Sequence, residues 1–187
     1  MSKDLRVYFR ALELDDYKIS VHWRRDDAMW DAVVGRRYYV SEEYERQWVQ
    51  RQVSGLPDSE AFAVCFHKND AYIGNAYIDN IDLFNRCCSS GLLIGNSEYR
   101  GQGLGFEINM LLLRHAFFVL GLERVNSQQL ATNLASIKCH QRAGFCQEGI
   151  ARKAVMKNGS LVYLNLMACL KDDFLTVWEE FCSESTV

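Results

Sequence analysis

One stretch of this sequence has residue types and a spacing suited to holding an anion. Leu92-Leu93-Ile94 reads as the end of a strand, and the chain then passes through a turn to Arg100-Gly101-Gln102-Gly103-Leu104-Gly105, where a long apolar helix begins. A glycine-rich turn at a helix N-terminus presents unpaired amides with the helix dipole behind them. Glycines at alternate positions let the backbone approach the anion, and Arg100 adds charge, so the pattern suits a pyrophosphate. The plainer alternative is a tight turn that needs glycine only for positive φ. Other phosphate motifs fit poorly. No Gly-Lys-Ser/Thr follows four spacers as in a P-loop. The glycines also lack the spacing and early position of a dinucleotide fingerprint.

The elements that must position this turn alternate in type. Leu5 to Phe9 reads as an opening strand, followed by a helix over 16–23. Ser41 is a suitable N-cap for a second helix whose apolar positions Tyr44, Trp48, Val49 and Val53 follow a helical period. Residues 61–66 and 71–78 form a hairpin, and 90–94 is a short strand. The spacing predicts a helix over 103–119, a strand over 124–130 and a helix over 134–143 that stops at Gly144. Strands over 145–156 and 161–170 flank Asn158-Gly159, a tight-hairpin signal, and a closing helix spans 172–181.

Arg100-Gly101-Gln102-Gly103-Leu104-Gly105 resembles the Arg/Gln-x-x-Gly-x-Gly/Ala motif of the GNAT acetyltransferase superfamily. Asn133-Leu134-Ala135-Ser136-Ile137-Lys138-Cys139-His140-Gln141-Arg142-Ala143-Gly144-Phe145 is similar to the family's later Asn-x-x-Ser/Ala…Gly-Phe segment. The two together, in this order, are far more specific than either alone. The opening Leu-Arg-Val-Tyr-Phe-Arg and the Lys-Asn-Gly hairpin are like the branch that holds ribosomal-protein N-terminal and spermidine N-acetyltransferases. The resemblance implies an α+β (mixed α/β) fold: a mostly antiparallel twisted sheet with a splayed pair of strands and helices on both faces. It implies a single domain over 1–187, with its core at about 5–170.

By the same resemblance, the co-substrate is acetyl-CoA. Leu92, Leu93 and Ile94 would offer backbone groups to its pantetheine arm, and the amides of Gly101, Gln102, Gly103, Leu104 and Gly105 would bind the pyrophosphate. Arg100 would add charge there, unless it is an ordinary surface arginine. Asn133 and Ser136 would hydrogen-bond the cofactor arm, and capping of the helix is the alternative for Asn133. Many relatives place a tyrosine where this chain has His140, as the acid that returns a proton to the leaving thiolate. Histidine can donate near neutral pH, and a thiol near 8.5 leaves readily, so the acid is useful rather than essential. Cys139 reads as a small buried residue.

Amine protonation then decides what help the reaction needs. A primary alkylamine with a pKa near 10.4 is neutral about once in 2,500 molecules at pH 7, a handicap of roughly 4.6 kcal/mol. An α-amine is neutral roughly a tenth of the time. Candidate bases are Asp79 and Asp82, after the third strand, and Glu60, before the second. Acceptor specificity is expected between residues 23 and 44, where Asp26, Asp27, Trp30 and Asp31 lie with Tyr38-Tyr39. Acids beside aromatics can receive a cation. Arg24, Arg25, Arg36 and Arg37 in the same stretch blur that pattern. The expected acceptor is a small-molecule amine or a peptide N-terminus. The alternatives are a non-catalytic acyl-CoA-binding protein of the same fold and, more remotely, a nucleotide-binding protein.

Composition excludes several other classes. Lys and Arg number 21 against 24 Asp and Glu, so the formal charge is 21 − 24 = −3, without the basic face that nucleic acid requires. Seven cysteines without a CxxC pair argue against a disulfide framework or a metal site, and for reduced thiols in a cytoplasmic protein. No membrane partner is expected, since no apolar run approaches about 18 residues. A homo-oligomer is compatible with the many aromatics.

Overall fold

The computed structural model describes residues 5–183. Residues 1–4 and 184–187, which the expected domain also includes, lie outside them. The chain forms β1 (Val7–Ala11), α1 (Tyr17–Trp23), α2 (Asp27–Ala32), α3 (Glu42–Val53), β2 (Glu60–Phe66), β3 (Ala71–Asp82) and β4 (Cys87–Ile94). These are followed by α4 (Leu104–Arg114), β5 (Arg124–Leu130), α5 (Leu134–Arg142), β6 (Cys146–Lys157), β7 (Ser160–Leu170) and α6 (Lys171–Ser183).

The seven strands make one sheet in the order β1-β2-β3-β4-β5-β7-β6. All neighbours are antiparallel except β4 and β5, which run parallel. That parallel pair is registered only from Cys87↔Arg124 to Ser89↔Asn126. β4 continues to Ile94 and β5 to Leu130, so the two strands diverge and leave a wedge. This is the splay that the sequence resemblance implies.

Alternation along the strands divides the apolar residues between two cores. Val64, Ile73, Ala76, Ile78, Val125 and Met167 face α4 and α6, and Phe117, just past α4, and Phe174 of α6 are fully buried there. Ala63, Cys65 and Tyr72 face α1 and α2, against Trp23, Met29 and Trp30. A buried Glu45 ties α3 to α1, accepting hydrogen bonds from Ser20 Oγ (2.7 Å) and Arg24 Nε (2.9 Å). A Cβ at Gly95 would overlap the Trp23 indole at 1.9 Å, so glycine lets α1 press on the end of β4.

Several expected local devices are present. Ser41 accepts from the Tyr44 amide at 3.1 Å, and Gly144 ends α5 with φ 99°. Asn158 and Gly159 both have positive φ, as the two central residues of a type I′ turn require. Other expectations shift. α2 was not anticipated; Asp26 nucleates it by accepting from the Met29 amide. β3 extends to Asp82, which puts Asp79 and Asp82 within the strand rather than after it. The single helix expected over 103–119 is α-helical only to Arg114, then closes in a wider turn in which Leu120 N donates to His115 O. No described helix is long and apolar enough to cross a membrane.

Candidate active site at the splayed strands

The glycine turn is a set of free amides. Gly101 (φ 72°) and Gly103 (φ 78°) adopt the left-handed conformation, and Gly103 is the N-cap of α4 without any side-chain cap. Among the described residues, the amides of 101–105 have no backbone or side-chain acceptor. Gly105 has a different use: a Cβ there would stand 3.3 Å from Cys139 Sγ, so it permits the close crossing of α4 and α5.

The cations around this turn are arranged otherwise than the sequence suggests. Arg100 donates to the carbonyls of Ile94 (2.8 Å) and Gly95 (2.5 Å) and pairs with Asp26 at 2.6 Å. Its guanidinium thus braces the end of β4 against the start of α2. Arg6 reaches the turn from β1's approach, donating to Gln102 O at 3.0 Å and pairing with Glu107 of α4. Nothing in the sequence signals that contact across 96 positions.

Leu92, Leu93 and Ile94 are paired with β3 on one edge, opposite Ala76, Asn75 and Gly74. The opposite edge has no ladder partner beyond Ser89. Their side chains divide between the two cores, Leu92 and Ile94 on one face and Leu93 on the other.

At the base of the wedge lies a buried polar cluster. His140 is 5% exposed and stacks edge-on against Phe145. Its Nδ1 is 2.8 Å from the Ser136 carbonyl, which can only accept, so Nδ1 carries the proton. Nε2 of the neutral ring then accepts from Ser127 Oγ at 3.2 Å. Ser127 also lies 3.2 Å from the Ser90 carbonyl and receives a hydrogen bond from Gln129 Nε2 at 2.8 Å. Gln129 Oε1 is buried with no partner among the described residues. Burial holds the His140 pKa below its ordinary value, against a smaller opposing effect of the Ser136 carbonyl. Sequence reading passed over Ser127 and Gln129. The available signal was polar residues at alternate, inward positions of a strand, where apolar ones are the rule.

Asn133 does cap α5, its Oδ1 accepting from the Ser136 amide at 3.0 Å, but its Nδ2 also donates to Ala32 O at 2.9 Å. The residues from Trp30 to Gly35 are held from a second side by Lys157 Nζ, which donates to Trp30 O (2.7 Å) and Gly35 O (2.5 Å). Asn158 donates to Asp31 at 3.0 Å. Trp30 is buried, its indole donating to Arg24 O at 2.8 Å.

The three base candidates separate. Glu60 is 2.6 Å from His115, and Asp82 is engaged by Asn85. Asp79 has no side-chain hydrogen bond among the described residues and stands opposite Ser89, the last rung of β4 that pairs with β5. The residue is exposed as a whole, yet local burial of the carboxyl, and then the charge of Asp58, push its pKa up.

A splayed parallel pair, with free amides at the head of the following helix, suits an extended ligand that carries a phosphate. The family model of the GNAT acetyltransferase domain matches residues 6–146, so the chain belongs to the GNAT acetyltransferases. Among relatives, the probable N-acetyltransferase YjcK of Bacillus subtilis is 27% identical over 183 residues, covering 92% of this chain and 98% of that protein. The SPbeta prophage-derived uncharacterized N-acetyltransferase YokL of Bacillus subtilis is 28% identical over 116 residues, 62% of this chain and 63% of YokL. Among solved structures, spermidine N-acetyltransferase from Vibrio cholerae, in complex with CoA and spermine, superposes with a TM-score of 0.83. It is 18% identical, over 91% of this chain and 98% of that one.

Proposed function

We propose that the chain acetylates a small primary amine at the wedge between β4 and β5, with His140 and Ser127 handling the proton. The observation that carries this is the open edge of β4 leading into the uncapped amides of 101–105. Acetyl-CoA supplies the acyl group as a thioester. The turn amides would hold its pyrophosphate, and the free edge of Leu92 to Ile94 its arm. The orphaned Gln129 Oε1 is an acceptor for a donor that enters the wedge.

Asp79 is the base best placed to take the amine's proton, because its raised pKa brings it closer to the working pH. His140 does not open directly onto the wedge; both ring nitrogens are engaged. The neutral ring takes, through Ser127, the proton that the amine nitrogen loses as it is acylated, and then returns it from Nε2 through Ser127 Oγ to the leaving sulfur. Afterwards the ring is neutral again and the hydroxyl restored. A small-molecule amine is favoured over a peptide because the 30–35 segment is fastened across the acceptor side by Asn133 and Lys157.

Thiol release from acetyl-CoA over an amine panel tests the reading. We expect turnover with at least one amine, and a drop in kcat of about 100-fold in both Ser127→Ala and His140→Phe, the range of a lost acid. Thr at position 127 should restore part of the rate. Full activity in both variants would remove the proton path, and no thiol release with any amine would favour a non-catalytic acyl-CoA-binding protein.

A further inference from the structure

A glycine in the middle of a regular strand weakens it and often marks a place where another group comes close. Three glycines lie on β3 and β4 or just past them, and two have a visible cause. A Cβ at Gly74 would stand 2.1 Å from Leu93 O, and one at Gly95 would overlap Trp23 at 1.9 Å. Gly91 has no such cause. Its φ lies outside the left-handed region, it pairs in register with Tyr77, and the nearest atom to a Cβ there would be Tyr77 Cδ2, at 3.8 Å. That is ordinary contact, so the fold itself would accept alanine.

Gly91 stands where the two splayed strands part. Ser89 is the last β4 residue paired with β5, and the Ser90 carbonyl lies 3.2 Å from Ser127 Oγ. The absent side chain would point to the α1–α3 face, where Tyr77 meets Trp48 of α3 at 6.2 Å between ring centroids. Ser127 and His140 lie on the other face, beside α5. Tyr77, Ser89, Gly91 and Leu93 are all partly exposed, so solvent reaches this stretch of the face.

Both neighbouring rungs on that face carry a polar group. On one side Asp79 stands opposite Ser89 and diagonal to Gly91, roughly 7–8 Å for such a pair of positions. On the other, Asn75 stands opposite Leu93 and is fully buried. Its Oδ1 accepts from Tyr72 OH at 2.6 Å, while its Nδ2 has no partner among the described residues. A buried donor left unpaired is costly, and an oxygen of a bound reactant would satisfy it.

We propose that the acceptor amine reaches the thioester across Gly91, from the α1–α3 face, along the Tyr77 ring and between Asp79 and Asn75. The missing side chain is the room for the carbon that bears the nitrogen, and Asp79 stands one rung away to take the ammonium proton. The proposal rests on the acetyl-transfer reading above.

Substitution at Gly91 tests it, with the acceptor that the amine panel shows to be turned over best. We expect Gly91→Ala to lower its kcat/KM about tenfold or more, and Gly91→Val to lower it further, while CoA affinity by calorimetry stays within about twofold. The urea midpoint of Gly91→Ala should equal or exceed that of the wild type, because alanine restricts the unfolded chain more than glycine does. A purely structural role for the glycine would not give an equally stable protein that binds CoA and reacts poorly with its acceptor. A loss below tenfold in both variants, or an equal loss of CoA affinity, would overturn the proposal, and so would a lower urea midpoint in Gly91→Ala. Those results leave the wild-type activity in place. A wild type that releases no thiol with any amine sinks the transfer reading instead, and this proposal with it.

Discussion

The donor half and the acceptor half proposed for this site are built in different ways. The donor half is local: one strand, one turn and one helix, continuous from Cys87 to Arg114, with positive φ at Gly101 and Gly103 producing free amides. The acceptor half is a short segment, residues 26–35, fastened from several distant places. Arg100 holds Asp26 from 74 positions away, Asn133 holds Ala32 from 101, and Lys157 holds Trp30 from 127. A donor shared by many enzymes can be held by backbone, whereas an acceptor is selected by side chains whose placement depends on the rest of the fold.

The comparison breaks most sharply at the turn. Gly103→Val puts a β-branched residue at φ 78°, which costs about 2 kcal/mol of strain and re-aims the amides. CoA affinity by calorimetry should fall about 30-fold, with acceptor preference unchanged; unaltered affinity would remove the turn from the donor site. Lys157→Ala probes the other half. Losing a charged donor to two carbonyls costs about 1.5–3 kcal/mol, and we expect the acceptor KM to rise about tenfold while CoA affinity stays within twofold. Equal loss on both would mean that the halves are one mechanical unit.

The smallest effect concerns the floor they share. An unfolded imidazole titrates near 6.5, and burial holds that of folded His140 lower. Between those values the unfolded chain binds more protons, so the contribution to stability is present above 6.5 and is lost as pH falls through it. Urea unfolding of the wild type should weaken more between pH 7 and 5 than that of His140→Gln. Identical pH profiles would show that His140 is not buried as described.

How much of this was legible follows the same division. The Gly101–Gly105 run, the Ser41 cap, the Gly144 stop and the Asn158-Gly159 turn were all readable, because each is fixed by the backbone preferences of one or two residues. Asn133 was read as either a cap or a ligand contact; it caps, and it also fastens α2, which no local rule predicts. For Arg100 the sequence allows a charge for the pyrophosphate or an ordinary surface arginine; its guanidinium is instead committed to carbonyls at the end of β4 and to Asp26, and Arg6 stands at the turn. α2 was missed because its six residues are too few to show a period.

By itself, then, the sequence determined the order of the elements other than α2, the family and the amide-rich turn, because periodicity, capping and glycine conformation act over a few residues. Only the tertiary structure decided which charges are paired, that Ser127 meets His140, and that arginines rather than aspartates line a cavity beside α1. Pairing of charges is a matter of distance in space, and residues 26 and 100 or 30 and 157 become neighbours only when the sheet has formed.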